Sequence, residues 1–124
     1  GGWILLAEPE LHLGPHVVVS DIAGWRRERL SELPDVPYFT MAPDWICEVL
    51  SPSTERIDRL KKLRVYAEFA VQYAWLVSPA MRSLEVYRST GGHFALTATH
   101  ADSETVRAEP FAELEIELAA LWAR

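Results

Sequence analysis

Apolar positions recur along this chain with two periods. Short apolar or alternating runs of four to seven residues mark strands, and one longer stretch repeats every three to four residues, which marks a helix. Trp3 to Leu6 reads as a short strand, and Glu10 to Leu13 follows, with Glu10 and His12 alternating with Leu11 and Leu13. Gly14-Pro15 is a turn signal, so Val17 to Ala23 is expected to return as the second arm of a hairpin. That pairing would bring Glu10 within about one position of Asp21, with a bulge or a one-residue slip deciding whether they share a face. Trp25 to Pro43 carries Arg26, Arg27 and Arg29, then Pro34, Pro37 and Pro43, and reads as a long surface loop with a helical turn at Arg26–Leu33.

Trp45 to Leu50 is a strand with Ile46, Glu48 and Leu50 on one side and Trp45, Cys47 and Val49 on the other. Ser51-Pro52 ends it, because proline cannot continue a ladder. Ser53 or Thr54 is placed to cap a helix from about Glu55 to Ala70, whose apolar stripe is Leu60, Leu63, Ala67 and Ala70. Tyr73 to Val77 is the next strand. Ser83–Tyr87 and Phe94–His100 form a hairpin around Gly91-Gly92. Thr105–Ala108 and Leu114–Leu118 are edge strands, and Ala119–Trp122 is a closing helical turn. A strand–helix–strand unit around Glu48 and Trp75 predicts two parallel neighbours in a mixed sheet. The fold class is α/β (mixed α+β): a mixed β-sheet with one main helix packed on it, in a single domain spanning residues 1–124.

Composition narrows the partners. Hydrophobic residues make up 49% of 124, enough for one core and too many for a disordered chain. No apolar stretch approaches the ~20 residues of a membrane helix, and no signal peptide is visible, so a cytoplasmic protein without a membrane partner is expected. Cys47 is the lone cysteine, which excludes an internal disulfide and a zinc knuckle. The net charge of −6 argues against an open, sequence-independent grip on nucleic acid. Yet Glu55 to Glu68 holds five basic residues against three acids, so one face near the middle of the chain is basic. His12, His16, His93 and His100 show no metal-ligand spacing.

Two acids inside apolar runs are the candidate chemistry: Glu48 within Trp45–Leu50 and Asp21 at the end of Val17–Val18–Val19–Ser20. A buried, unpaired carboxylate costs several kcal/mol, so each needs a cation or a basic partner. For Glu48 the alternatives are a bound metal ion or a structural salt bridge to Arg59 or Lys62. Asp21 is either a ligand or a cap on the loop that follows it. Asp58 and Lys62, four apart on the helix, also read as a plain surface ion pair. Arg26, Arg27 and Arg29 are either phosphate contacts or solvated loop charges.

Asp21 at a strand end, Ala42-Pro43-Asp44-Trp45-Ile46-Cys47-Glu48-Val49-Leu50-Ser51-Pro52-Ser53-Thr54, then Asp58, Lys62 and Tyr66 on a helix, then Ala74-Trp75-Leu76-Val77 form one ordered pattern. The pattern resembles the Uma-type putative restriction endonucleases of the PD-(D/E)xK nuclease superfamily, from Trp3 to Trp122. The resemblance implies a restriction-endonuclease-like fold and Mg²⁺- or Mn²⁺-assisted hydrolysis of DNA phosphodiester bonds. It implies catalytic roles for Asp21, Glu48 and Lys62, with Glu10, Asp21 and Glu48 as metal ligands. Leu50 stands where the superfamily's lysine usually lies, and Lys62 matches the lysine as displaced onto the helix.

Three positions depart from the family pattern: Ser20 before Asp21 where proline is usual, Ala70 where the helix usually ends in glycine, and Ser78 before Pro79 where aspartate is usual. The family's N-terminal helix and strand hairpin are missing from the chain, which would leave one sheet face bare. Either a second copy covers that face, giving a homo-oligomer with a dimer favoured, or the missing part was removed or not included. The alternative function is a catalytically idle remnant acting as an oligomerising or regulatory module.

Overall fold

The structure is a computed structural model that describes residues 2–51 and 56–122. Ten strands and two helices follow in chain order: β1 (Trp3–Ala7), β2 (Glu10–Leu13), β3 (His16–Val19), β4 (Ile22–Arg26), β5 (Trp45–Val49), α1 (Arg56–Glu68), β6 (Tyr73–Ser78), β7 (Ser83–Thr90), β8 (His93–Ala101), β9 (Thr105–Val106), β10 (Ile116–Glu117) and α2 (Ala119–Trp122). Six of the strands form one sheet in the order β1-β4-β5-β6-β7-β8. β5 and β6 are parallel, with Glu48 opposite Leu76, and the other pairs are antiparallel. The parallel pair is the one joined through α1, as the strand–helix–strand order predicts. Gly91 and Gly92 both take positive φ between the paired Thr90 and His93, the geometry of a two-residue hairpin turn that favours glycine.

The expected strand Val17–Ala23 is broken at Ser20-Asp21 and becomes β3 and β4. β3 pairs only with β2 in a small separate sheet, while β4 enters the main sheet between β1 and β5. Short polar side chains offer the backbone local partners that compete with a ladder. Here the Ser20 hydroxyl donates to the Ile22 carbonyl at 2.7 Å and lies 3.4 Å from that of Cys47. The break matters because it leaves Asp21 at a corner facing the end of β5.

The expected loop from Trp25 also begins later. Trp25 is a fully buried residue of β4 opposite Ile4, and its indole N–H donates to the Met41 carbonyl. A single helical turn follows, closed by Leu30 N–H on the Arg26 carbonyl at 3.1 Å. Asp44, buried at the far end of the loop, accepts from Arg26 N–H at 2.8 Å and pairs with Arg29 at 2.7 Å. Arg26 lies over the Trp3 ring, 4.6 Å from its centre. Arg26 and Arg29 therefore tie the loop to the sheet.

Two cores flank the sheet. Ile46, Ala74, Ala23 and Trp25 pack under Leu63, Tyr66 and Val71 on the α1 side, with Leu11 and Leu13 of β2. Trp45, Cys47, Trp75, Val77, Leu84 and Val86 form the opposite face, covered by Val106, Ala108, Phe111 and Leu118 from the C-terminal segment. The face opposite α1 is thus covered by the chain's own C-terminal segment. β9 and β10 are shorter than the edge strands expected there, and α2 matches the closing helical turn.

The helix ends earlier than its apolar stripe suggests. Ala70 lies beyond α1 with φ of 68°, exposed, and Val71 N–H bonds the Tyr66 carbonyl at 3.0 Å across it. This is the left-handed helix end at which glycine is favoured, and alanine holds it at a cost of roughly 1 kcal/mol. The proposed caps Ser53 and Thr54 lie outside the described residues.

Candidate active site

Glu48 is the centre of the candidate site. β5 is covered on both faces, and alternation along it turns Ile46 and Glu48 toward α1. Glu48 is fully buried, so its charge must be met by side chains. α1 supplies them from one face at positions 59, 62 and 66. Arg59 Nη1 donates to Glu48 Oε1 at 2.8 Å, and Lys62 Nζ donates to the same oxygen at 3.0 Å. The Tyr66 hydroxyl donates to Oε2 at 2.7 Å. Burial pushes the Glu48 carboxyl above its usual range, while Lys62 and the Tyr66 hydroxyl pull it back and Asp21 adds a smaller upward push. Burial also drives the Tyr66 hydroxyl far above the ordinary phenol range, with the Glu48 carboxylate adding to it, so Tyr66 remains a donor.

Asp21, one-third exposed, reaches the same place from the corner between β3 and β4. Its Oδ2 accepts from the backbone N–H of Val49 at 2.6 Å. The cap on its own loop is thus replaced by a bond to the neighbouring strand. Arg59 Nη2 lies 3.7 Å from that oxygen and donates to the Val49 carbonyl at 3.3 Å. Oxygens of Asp21, Glu48 and Val49 therefore converge on one guanidinium. Lys62 is fixed on the other side by the Val19 carbonyl at 2.6 Å, so β3 and β5 together hold its ammonium. The surface pair with Asp58 does not form. Lys62 turns toward Glu48 because a buried carboxylate offers a stronger partner than an exposed one.

Glu10 is not among their contacts. The register sets it on β2 opposite Val19, two positions before Asp21, and its carboxylate bonds His12 at 2.7 Å, with the His12 ring stacked on Tyr38. No group of three or more His, Cys, Asp or Glu able to hold a metal occurs among the described residues. The predicted set of Glu10, Asp21 and Glu48 is therefore not assembled as three carboxylates. The break at Ser20 separates the hairpin that carries Glu10 from the sheet that carries Glu48, with Asp21 between them. The donor set present is two carboxylates and a backbone carbonyl. Hard oxygens of this kind suit Mg²⁺ or Mn²⁺, which are commonly held by one or two carboxylates and retain several waters. The Arg59 guanidinium reaches all three, through Nη1 on Glu48 and Nη2 on Val49 and Asp21.

Residues 2–120 match the Uma2 family, described as putative restriction endonucleases. The chain belongs to that family. A solved structure of a putative nuclease belonging to DUF820 from Anabaena variabilis is similar in fold, with a TM-score of 0.80 and 25% identity over 97% of this chain and 68% of that one. No curated protein matches the chain. Family and fold agree with a nuclease-like reading of the chain.

Arg59 and Tyr66 also belong to this site, where the sequence offers Arg59 only as a salt-bridge partner and Tyr66 only as part of the family pattern. Their signal is the spacing of Arg59, Lys62 and Tyr66, a polar row at helical period beside the apolar row of Leu60, Leu63 and Ala67. Tyr66 looks like a core aromatic, which it also is.

Proposed function

We propose that this chain is a metal-dependent endonuclease that hydrolyses DNA phosphodiester bonds, with Mg²⁺ or Mn²⁺ as cofactor. The observation that carries the proposal is the convergence of Asp21, Glu48 and the Val49 carbonyl on one cation, with the Lys62 ammonium on the same Glu48 oxygen. Asp21 and Glu48 would hold the ion, with the Val49 carbonyl as a third oxygen. A bound divalent ion supplies an acidified water and offsets charge on the attacked phosphate.

The chain's own residues do the rest. The Val49 N–H and the Tyr66 hydroxyl orient the two carboxylates. Lys62 uses two of its three N–H donors on Val19 and Glu48, and its side chain is 23% exposed, which leaves the third for a phosphate oxygen or the attacking water. Arg64 is exposed on the same helix and adds basic surface for a phosphate backbone. Plasmid nicking or linearisation with Mg²⁺ or Mn²⁺ is expected for the wild type and not for Asp21→Asn or Lys62→Met. Equal cleavage by wild type and both variants, or cleavage by none, removes the enzymatic reading.

One observation favours the alternative of an idle remnant. Both oxygens of Glu48 already have donors, as in a structural ion-pair network. A remnant would bind no Mn²⁺ at millimolar concentration and cleave nothing. Association into dimers would then be its remaining activity, read by sedimentation.

A further inference from the structure

Arg59 stands where the proposed function needs an ion. Its guanidinium touches Glu48 Oε1 at 2.8 Å, the Val49 carbonyl at 3.3 Å and Asp21 Oδ2 at 3.7 Å. These are the same oxygens assigned above to a divalent cation. The fit is imperfect in one respect. Arg59 Nε is buried and has no hydrogen-bond partner among the described residues. A buried donor left unmade is costly, which weakens the hold of the site on this side chain. A charge comparison points the same way. Asp21 and Glu48 are balanced by Arg59 and Lys62. Adding a divalent ion with Arg59 still in place would leave two positive charges in a mostly buried site. With Arg59 withdrawn, one positive charge remains, which a phosphodiester neutralises.

We propose that the Arg59 guanidinium is a resident counter-ion that occupies the divalent-ion position and is displaced when the ion enters. Arg59 then lowers metal affinity by competition, and it keeps the acid pair neutralised while no ion is bound. Lys62, held by Val19 and Glu48 together, stays. This inference rests on the metal-dependent reading above, and the test separates the two.

Mn²⁺ is titrated calorimetrically into the wild type, Arg59→Ala and Lys61→Ala, with thermal melting to confirm that each is folded. Lys61 is the exposed neighbour of Lys62 and controls for the loss of one positive charge. Arg59→Ala is expected to bind Mn²⁺ about tenfold more tightly than wild type, equivalent to roughly 1.4 kcal/mol, and Lys61→Ala about as the wild type does. Guanidinium chloride at sub-denaturing concentration should weaken Mn²⁺ binding to Arg59→Ala more than sodium chloride of equal strength, because the free ion refills the vacated position. Should Arg59→Ala fail to fold, Arg59→Met keeps the bulk of the stem and carries the same expectation. Wild type that binds Mn²⁺ with no gain in the Arg59 variant overturns the counter-ion role and leaves the metal reading standing. A gain matched by Lys61→Ala, or one that guanidinium and sodium reverse equally, also overturns it. Absence of binding in wild type and Arg59 variants alike sinks both.

Discussion

Tyr66→Phe is the sharpest test of how Glu48 is held. The substitution removes one oxygen and keeps the ring, which is fully buried in the core beneath α1. What is lost is a single bond, from the Tyr66 hydroxyl to Glu48 Oε2 at 2.7 Å, between two groups that water does not reach. Hydrogen bonds to a charged group contribute about 1.5–3 kcal/mol when buried, so a loss of about 2 kcal/mol is expected. For 124 residues the melting entropy is roughly 0.26 kcal/mol/K, which makes that loss a fall of about 8 °C in Tm. The pH dependence has a definite sign. Burial already raises the Glu48 pKa, with the Tyr66 hydroxyl pulling it down, so the variant raises it further. A folded pKa above the unfolded one means stability present at low pH and lost as pH rises through the folded value. The deficit of Tyr66→Phe should therefore grow as pH rises above the ordinary carboxylate range and shrink in acid. Differential scanning calorimetry across that range reads both effects. A change in Tm below about 2 °C at neutral pH, or a deficit that grows in acid, would refute a charged, buried Glu48 held by this hydroxyl.

Three further outcomes concern the backbone and the core. Ala70→Gly should raise stability by about 0.5–1 kcal/mol in chemical denaturation, because glycine relieves the left-handed strain at φ of 68° by more than its extra unfolded-state entropy costs. Gly24→Ala should lower it by about 1–3 kcal/mol in the same assay, since a Cβ there would meet Leu5 at 2.7 Å and the Trp3 and Trp45 rings at 3.2 Å. Cys47 should resist alkylation by iodoacetamide in the folded protein and react on denaturation, because burial pushes its thiol pKa far up, with Glu48 and Asp21 adding to it.

Much of this architecture is written in periodicity. The apolar alternation of Trp45–Leu50 correctly places Ile46 and Glu48 on one face and Trp45 and Cys47 on the other, because a strand leaves no other choice. The helix between Glu48 and Trp75 fixes the parallel pair, because a crossover cannot be made by a tight turn. What the sequence hides is where a continuous apolar run bends. Val17–Ala23 looks unbroken, yet Ser20 takes backbone partners with its hydroxyl and splits it. That one bend leaves Asp21 between the two sheets, while Glu10 stays in the small one, opposite Val19. Asp21, Glu48 and Lys62 are legible through burial logic and through the family pattern. Arg59 is harder to weigh, because a helical arginine beside many charges reads as solvated until the strand ends are seen to point at it.

Convergence of the Asp21 and Glu48 oxygens on a cation position is the claim on which the functional account depends. Calorimetric titration of Mn²⁺ into the wild type and Asp21→Asn tests it most directly, since Asp21 is partly exposed and its substitution leaves the Glu48 network in place. The account predicts saturable binding to the wild type that is lost in Asp21→Asn with the fold intact. Binding undiminished in Asp21→Asn, or no binding to either the wild type or Arg59→Ala at millimolar Mn²⁺, would contradict it.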